Sequence, residues 1–415
     1  MNWFFRAIIV LASAGLIVGC TGEKEATITI LISPDHIKGW KAIGEAFSKK
    51  YPNLKVNFEA PSSSTDDRQT KYTTCFLAED AAYDLVYMDI IWVPKFASKG
   101  WLEPLDDKFP ESARADFLPG DIEGSIYKGK IYRVPMQSDA GMLYFRKDLL
   151  EKAKLKPPQT FSELMRACTK LQKKPDLYGY VFQGKQYEGL VCNFLEILWG
   201  YGGDVFDSDG KLVINSPEAV KALGWLVDAV RNYQVCPMGV TTYNEEECHR
   251  TFQEGHAVFM RNWPYAWSMT QQEGSPVKGK VGIVPMVHAA GKKSAATLGG
   301  WGIGISKFSN NKKEAWKFIE FATSAPIQKL LHEREGLIPT RKSLFKDKDI
   351  LEKSPHYGKL YKVLLGARPR PVHERYTEIS DIMQKHLSAS LIGDETPRQA
   401  ARLMAVEIEV ALGQK

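Results

Sequence analysis

The sequence predicts an α/β fold built on a parallel sheet, and the pattern near the amino terminus carries that prediction. A strand-like run at 27–32 is followed by apolar residues at helical spacing, then by strand-like runs at 55–58 and 84–88. Short apolar runs that alternate with helical periodicity are typical of strand–helix–strand units, whose parallel strands are buried on both faces. The chain has 415 residues, which is enough for two or more packed domains.

The remaining elements follow in order along the chain. The helix after the first strand is predicted from four residues: Trp40, Ile43, Phe47 and Tyr51. Helical patterns dominate 141–330, and strand-like runs return at 281–284 and 302–305. The last helix is predicted to begin after Thr396, a good N-cap residue followed by a proline. Strand-rich segments on either side of a helical middle indicate two lobes, with the chain crossing between them more than once.

The first twenty residues have the pattern of an export signal. A single basic residue, Arg6, precedes an apolar run at 7–18 that is too short to span a bilayer. The closing residues Ile17-Val18-Gly19-Cys20 resemble a bacterial lipobox. We therefore expect lipid on Cys20 and an extracytoplasmic protein, periplasmic or at the cell surface, that is held to a membrane by that lipid. An ordinary signal peptide and an uncleaved anchor are the alternatives.

Charge and cysteine content exclude some classes of function. There are 55 basic and 49 acidic residues without a sustained basic block, so nucleic acid is not an expected partner. No CxxC and no histidine cluster occurs at ligand spacing, so we expect neither a metal nor a cofactor. Five cysteines follow Cys20, an odd number, so at least one thiol is free. Cys236 and Cys248 are close enough in sequence to pair, but spacing does not decide connectivity.

Polar residues at predicted strand ends are the first candidates for a binding site. Asp89 follows the apolar run at 84–88, where open α/β sheets bind ligands, and a carboxylate there accepts hydrogen bonds from two sugar hydroxyls. The alternative role is a helix N-cap. Gln137 and Asp139 lie in a polar elbow between two apolar runs, which indicates a crossover with both side chains in a cleft. The alternative is a surface hairpin.

Aromatic residues form two further clusters. The segment 261–267 places three aromatic residues around a proline, and Trp301 lies among glycines that let backbone amides approach a ligand. An aromatic face packs against the C–H face of a pyranose ring, although an isolated tryptophan is more often part of a core. Arg368, Arg370 and Arg375 lie near Tyr376; an arginine donates to several hydroxyls, but two of the three are expected to be solvated.

Catalysis has little support in the sequence. No GxSxG, P-loop or HExxH pattern occurs, which leaves paired carboxylates as the enzymatic alternative. Asp89, Asp139 and Glu188 could supply such a pair in a secreted glycoside hydrolase, but nothing in the sequence sets two of them at glycosidase spacing. We expect a binding protein and not an enzyme.

Several segments together carry a family resemblance: GWLEPLD at 100–106, DAG at 139–141 with YFRKDLL at 144–150, QGKQYEGLVC at 183–192, RNWPYAW at 261–267, SPVKGKVG at 275–282, KSAATLGGW at 293–301, and PRP at 369–371 with Tyr376. Over nearly its whole mature length the chain resembles the extracellular solute-binding lipoproteins of ABC sugar importers, and most closely the trehalose/maltose-binding branch.

The resemblance implies a two-lobed periplasmic-binding-protein fold, the type II Venus flytrap, with a hinge of several crossovers. The expected divisions are a signal peptide at 1–19, a lipidated tether at 20–26, lobe I at 27–135 plus 285–340, and lobe II at 136–284 plus 341–415. The expected ligand is an α-glucoside or disaccharide such as trehalose, maltose, sucrose or glucosylglycerol. A monomer would deliver it to ABC permease transmembrane subunits; presentation to a membrane receptor is an alternative.

The resemblance also assigns roles within the cleft. It implies that sugar hydroxyls are bound by Arg68, Asp89 and Asp139. The rings would stack on Trp263, Tyr265 and Trp301. The backbone amides around Gly300 would donate hydrogen bonds, and Arg370 would close the site from the far lobe. Two departures change one end of the pocket. Gln137 stands where relatives carry a tyrosine, and His36 lies in a segment where they carry an acid. We therefore expect a refitted second subsite, with His36 and Glu188 as additional ligand-binding residues.

Overall fold

The computed structural model describes residues 25–354 and 356–413. The predicted signal and Cys20 lie outside these residues. The strands, numbered in chain order, are β1 (Ala26–Leu31), β2 (Leu54–Glu59), β3 (Leu85–Asp89), β4 (Ile126–Tyr127), β5 (Lys130–Ile131), β6 (Val134–Ala140), β7 (Met142–Arg146), β8 (Tyr178–Val181), β9 (Ala257–Asn262), β10 (Val281–Val284) and β11 (Leu298–Ile305).

Two sheets organise the molecule. The first has the order β2-β1-β3-β11-β6 and the second the order β10-β7-β9-β8, while β4 and β5 form a separate hairpin. In the first sheet β1 pairs in parallel with β2 and β3, and β11 runs antiparallel to its neighbours β3 and β6. The mixed α/β class is confirmed, and the predicted parallel arrangement is confirmed for the three amino-terminal strands.

Helices cover both sheets. Those of the described residues are α1 (Ile37–Lys50), α2 (Thr65–Leu77), α3 (Trp92–Ser98), α4 (Glu111–Arg114), α5 (Pro119–Glu123), α6 (Lys147–Lys152), α7 (Phe161–Leu171), α8 (Glu188–Tyr201), α9 (Pro217–Val227), α10 (Glu245–Gln253), α11 (Ala266–Thr270), α12 (Lys312–Ala322), α13 (Ala325–Glu335), α14 (Lys348–Lys353), α15 (Tyr357–Leu365), α16 (Tyr376–Ile392) and α17 (Pro397–Ala411). As predicted, Thr396 caps the last helix, in a reciprocal capping box with Gln399.

Separate hydrophobic cores lie beneath the two sheets. Tyr87, Ile303 and Phe318 belong to the core of the first sheet, while α8, α9, α16 and α17 enclose the core of the second. Helix α8 is buried from residue 188 to residue 200, including the thiol of Cys192. The carboxy-terminal helices therefore complete the second lobe.

The chain crosses between the sheets more than once. Gly141 alone separates β6 in the first sheet from β7 in the second, which confirms the predicted crossover and excludes a surface hairpin. A second crossing joins β10 to β11. The expected polar elbow is itself part of β6, and residue 135 lies inside that strand. The chain changes sheet at Gly141 and not at residue 135. The expected boundary between lobe I and lobe II after residue 135 therefore stays a proposal.

The five cysteines among the described residues are free thiols, and Cys236 and Cys248 are both buried. Within residues 25–354 and 356–413, no three metal-ligating side chains form a group that could hold an ion. None of the described helices is long and apolar enough to cross a membrane.

Candidate functional site

A cavity of about 610 Å³ is lined by residues of both sheets and of the helices beside them. All of the site residues expected from the sequence line this cavity, which we call the cleft: His36, Arg68, Asp89, Gln137, Asp139, Glu188, Trp263, Tyr265, Gly300, Trp301 and Arg370. Two of the three arginines singled out late in the chain lie elsewhere. Arg368 pairs with Asp204, and Arg375 pairs with Glu378.

A chain of hydrogen bonds crosses the floor of the cleft on the first sheet. Alternate residues of a strand share a face, which brings Gln137 and Asp139 of β6 together. The Gln137 side-chain amide donates to Asp139 Oδ2 at 2.7 Å, and the Tyr87 hydroxyl donates to Gln137 Oε1 at 3.1 Å. Asp139 Oδ1 is buried and has no hydrogen-bond partner among the described residues. It is an acceptor available to a ligand.

Burial also sets the protonation preference of this carboxyl group. Asp139 is only 5% exposed, and loss of hydration raises its pKa well above the ordinary range of an aspartate. The hydrogen bond from Gln137 opposes this shift, because it favours the ionised form. A ligand hydroxyl that donates to Oδ1 would favour the ionised form further.

Trp301 forms an aromatic wall on the same lobe. Its ring centre lies 4.9 Å from that of Tyr87 and 5.4 Å from that of Trp92, and the Arg68 guanidinium lies 4.3 Å from its centre. The preceding Gly300 has φ +123°, and the register of β11 shifts directly after Trp301. A glycine is required there, since a Cβ would lie 2.8 Å from the carbonyl oxygen of Gln137.

A second aromatic wall belongs to the other lobe. The Trp263 indole N–H donates to Glu245 Oε1 at 3.1 Å, and the Tyr187 hydroxyl donates to Glu245 Oε2 at 2.6 Å. The Tyr265 hydroxyl donates to Glu246 at 3.3 Å. The two glutamates begin α10, and their carboxylates therefore fix the orientation of all three aromatic residues.

Arg370 connects the two lobes through buried carboxylates. Its guanidinium donates to Asp89 Oδ1 at 2.5 Å and to Glu188 Oε1 at 2.9 Å; Asp89 ends β3 and Glu188 begins α8. Glu188 also accepts from the hydroxyls of Tyr376, at 2.8 Å, and Ser380. Burial raises the pKa of Glu188, and Arg370 opposes that rise. One arginine thus compensates two acids from opposite lobes.

The rim of the cleft carries further acids. Burial, together with the charges of Glu188, Asp381 and Asp89, raises the pKa of Asp66 to about 7. Asp35 accepts hydrogen bonds from the hydroxyls of Ser33 at 2.6 Å and Ser63 at 3.0 Å.

His36 contacts the second lobe through the edge of its ring and, among the described residues, does not form a close ion pair. Its ring lies 6.2 Å from Tyr265 in an edge-on arrangement, and its Nδ1 lies 3.7 Å from Glu335. It joins a segment of the first lobe to the aromatic wall of the second.

Sequence reasoning missed several residues that line the cleft, among them Tyr87, Tyr187, Glu245 and Glu246. Tyr87 could have been found, since it precedes Asp89 by two positions and so shares its strand face. The two glutamates follow Asn244, whose capping box with Glu247 is a recognisable helix start. Tyr187 has no comparable signal, because its position depends on contact with a helix distant in sequence.

The family model and the similar proteins all point to one class of protein, the solute-binding proteins. The family model described as bacterial extracellular solute-binding protein matches residues 33–329. A probable ABC transporter-binding protein of Deinococcus radiodurans is 34% identical, over 95% of this chain and 96% of that protein. A mannitol-binding protein of Pseudomonas aeruginosa is 26% identical, over 81% of this chain and 77% of that protein.

Solved structures that resemble this chain belong to solute-binding proteins as well. The maltose-bound MalE3 of T. maritima is similar with a TM-score of 0.90 and 42% identity, covering 93% of this chain and 99% of that one. A solute-binding protein of Thermotoga lettingae bound with α-D-tagatose has a TM-score of 0.85 and 28% identity, covering 93% and 100%. The two-lobed architecture expected from the sequence is therefore confirmed.

Proposed function

The chain belongs to the bacterial extracellular solute-binding protein family, and on that premise we propose that it is the sugar-binding subunit of an ABC importer. It captures an α-glucoside or a similar disaccharide between its lobes and delivers it to the permease transmembrane subunits. One observation carries the proposal: Trp263 and Trp301, from opposite lobes, line one cleft with Asp139, whose buried Oδ1 has no partner among the described residues.

The chemistry of the cleft suits a sugar. Aromatic faces pack against the apolar face of a pyranose, while carboxylates and amides accept hydrogen bonds from its hydroxyls. A volume of about 610 Å³ is within the usual range for small-ligand sites. Arg68, Asp89 and Asp139 are the proposed hydroxyl binders, Trp263, Tyr265 and Trp301 the stacking residues, and the backbone around Gly300 the donor.

The identity of the sugar is the finer part of the proposal. The similar structures hold maltose and α-D-tagatose, and one relative is a mannitol-binding protein, so family membership alone leaves the ligand open. Gln137 occupies the position expected for a tyrosine and is held by Tyr87 and Asp139. We infer a second subsite fitted to a smaller or differently shaped unit, so that sucrose or glucosylglycerol binds alongside or instead of trehalose and maltose.

Binding is proposed to close the lobes, and the closed form is the one that the permease recognises. A ligand that touches both lobes shifts the population toward the closed state. Lipid on Cys20 would hold the monomeric protein to a membrane, outside the cytoplasm.

Isothermal titration of the chain beginning at Gly22 tests this function. The titrants are trehalose, maltose, sucrose, glucosylglycerol, mannitol and glucose, and the sugar is recovered afterwards for analysis. Saturable binding of at least one glucoside, abolished in Asp139→Asn and weakened to a still measurable affinity in Trp263→Ala, is the expected result. Absence of heat with every sugar would refute the proposal.

The glycosidase alternative is tested in the same samples. Hydrolysis would need an acid and a nucleophile, yet Asp89 and Glu188 are both hydrogen-bonded to Arg370. This arrangement favours binding over cleavage. Recovery of intact disaccharide is expected, and free glucose would support the enzyme instead.

A further inference from the structure

A buried ion pair lies directly behind the aromatic wall of the second lobe. Arg261 donates from Nε to Glu196 Oε2 at 2.9 Å and from a terminal nitrogen to Oε1 at 2.6 Å, and both side chains are fully buried. Gln183 accepts from the third guanidinium nitrogen at 3.2 Å. Removing two charges from water is costly, and apolar residues of similar size often stabilise a fold as well. Stability alone is therefore a weak reason for this pair.

The pair contacts the proposed stacking residue. The Arg261 guanidinium lies 4.0 Å from the centre of the Trp263 ring, a cation–π distance. One indole face is thereby covered, and Glu245 holds the indole N–H. The ring is fixed from behind and from its edge, which leaves the opposite face for a sugar.

The same pair contacts two of the connections between the lobes, at Gly141 and at Thr297. Glu196 Oε1 accepts from the backbone N–H of Thr297 at 3.1 Å, immediately before β11. At Gly141, a Cβ would lie 1.8 Å from Glu196 Oε1 and 2.4 Å from an Arg261 nitrogen. The backbone N–H of Gly141 in turn donates to the carbonyl of Thr297 at 3.4 Å.

We propose that the Arg261–Glu196 pair is a positioning element that links the stacking face of Trp263 to the interlobe crossovers at Gly141 and Thr297. The pair holds the indole where a sugar meets it and holds Gly141 and Thr297 in the arrangement that this structure shows. This inference rests on the proposed sugar-binding function, but the pair's hold on Trp263 is independent of any ligand.

The test is Arg261→Lys, which keeps the charge but removes the planar group that stacks on the indole. We expect binding of the preferred glucoside to weaken about tenfold or more. In a Trp263→Ala background the same substitution should add little, because its effect passes through the indole. The matched control is Arg341→Lys: Arg341 covers the Phe117 ring at 4.3 Å and pairs with Asp116, but none of these three lines the cleft.

A ligand-free readout separates this inference from the proposed function. The fluorescence of Trp263 is obtained as the spectrum of the parent minus that of Trp263→Phe, and likewise in the Arg261→Lys background. A changed difference spectrum supports the positioning role even if the parent binds none of the sugars tested. An unchanged difference spectrum would overturn it, as would full additivity with Trp263→Ala or an affinity within twofold of the parent.

If Arg261→Lys does not fold, the double variant Arg261→Met/Glu196→Gln decides, since it leaves no unpaired buried charge. It should melt cooperatively and show the altered Trp263 spectrum. A folded double variant with parental spectrum and affinity would refute the role.

Discussion

At the scale of single residues, Gln137 is the side chain on which the prediction about sugar selection depends. It connects the Tyr87 hydroxyl to the Asp139 carboxylate in one buried chain, so its amide orients the acceptor that a sugar would meet. A tyrosine at that position would add an aromatic ring and remove the amide donor to Asp139. The selection among sugars should therefore depend on this one position.

Replacing Gln137 by tyrosine should change relative affinities more than the overall fold. We expect Gln137→Tyr to favour maltose and trehalose over sucrose and glucosylglycerol by about tenfold relative to the parent, because one aromatic contact contributes on the order of 1 kcal/mol. Titration with all four sugars measures the ratio. Gln186→Tyr, at an exposed position of the same cleft, is the control. An unchanged order of affinities in Gln137→Tyr would contradict the refitted subsite.

Asp121 provides a pH-dependent prediction about stability. It is fully buried, and burial raises its pKa to about 7 in the folded protein, against 3.8 for the unconstrained group. Between these values the folded state holds a proton that the unfolded state has lost, so stability falls as pH rises from about 4 to about 7. Above the folded pKa this contribution is constant.

Asp121→Asn removes that titration. The melting temperature of the variant minus that of the parent should therefore be larger at pH 8 than at pH 5, whatever the constant effect of the substitution. Thermal melts at both pH values measure it, and Asp107→Asn, at an exposed aspartate, should show no such change. A pH-independent difference would mean that Asp121 is already ionised at pH 5.

At the scale of elements, the apolar strands were predictable and the polar ones were not. A short apolar run such as 84–88 is stable when it is buried as a strand, and the structure has the buried strand β3 there. Strand β6 was divided into a strand and an elbow because Gln137, Ser138 and Asp139 lack the usual strand pattern, yet every residue of β6 is buried. Gln137 and Asp139 are tolerated there because they share a hydrogen bond and line the cleft.

Strand β11 was predicted only in its second half for a similar reason. Glycines have low strand propensity, so 298–301 gave no strand signal, although the predicted role of the Gly300 region came from the same residues. Most of the cleft residues could be predicted from the sequence, because they follow strand ends or lie in a recognisable motif. Partners such as Tyr187, which depend on packing between distant helices, carry no such local signal.

The bulge in β11 gives a prediction at this scale. Gly300→Ala should lower the free energy of unfolding by about 2 kcal/mol or more, because φ is +123° and the added methyl meets the Gln137 carbonyl. Urea unfolding measures the loss. Gly224→Ala is the matched control: it lies in α9 with open space around a Cβ, and alanine favours a helix. Equal stability of the two variants would contradict the constraint at Gly300.

At the scale of the whole molecule, the lobes are joined by polar contacts as well as by the crossovers. Gln69 on α2 bonds Thr377 on α16 at 3.3 Å, and the Tyr127 hydroxyl donates to Glu374 at 2.8 Å. Arg370 adds the only contact among these that is buried and charged. Since these bonds exist only while the lobes are together, they bias the equilibrium between open and closed forms.

Arg370 should therefore control closure. Arg370→Gln leaves Asp89 and Glu188 facing each other across the interface without their shared cation, which favours separation of the lobes. Losing one partner of a buried charge pair costs about 2 kcal/mol or more, so sugar affinity should fall by a factor of about 30. Small-angle scattering should show a smaller decrease in radius of gyration on adding sugar than in the parent.

Arg375→Gln is the control for this variant, because Arg375 is exposed, precedes α16 and pairs with Glu378 in the first turn of that helix. It should bind and close as the parent does. If Arg370→Gln closes fully while its affinity falls, Arg370 acts on the sugar alone and the ion pairs do not set the position of the lobes. If closure and affinity fall together, the energy that brings the lobes together is the same energy that holds the ligand, since both depend on one guanidinium between two acids.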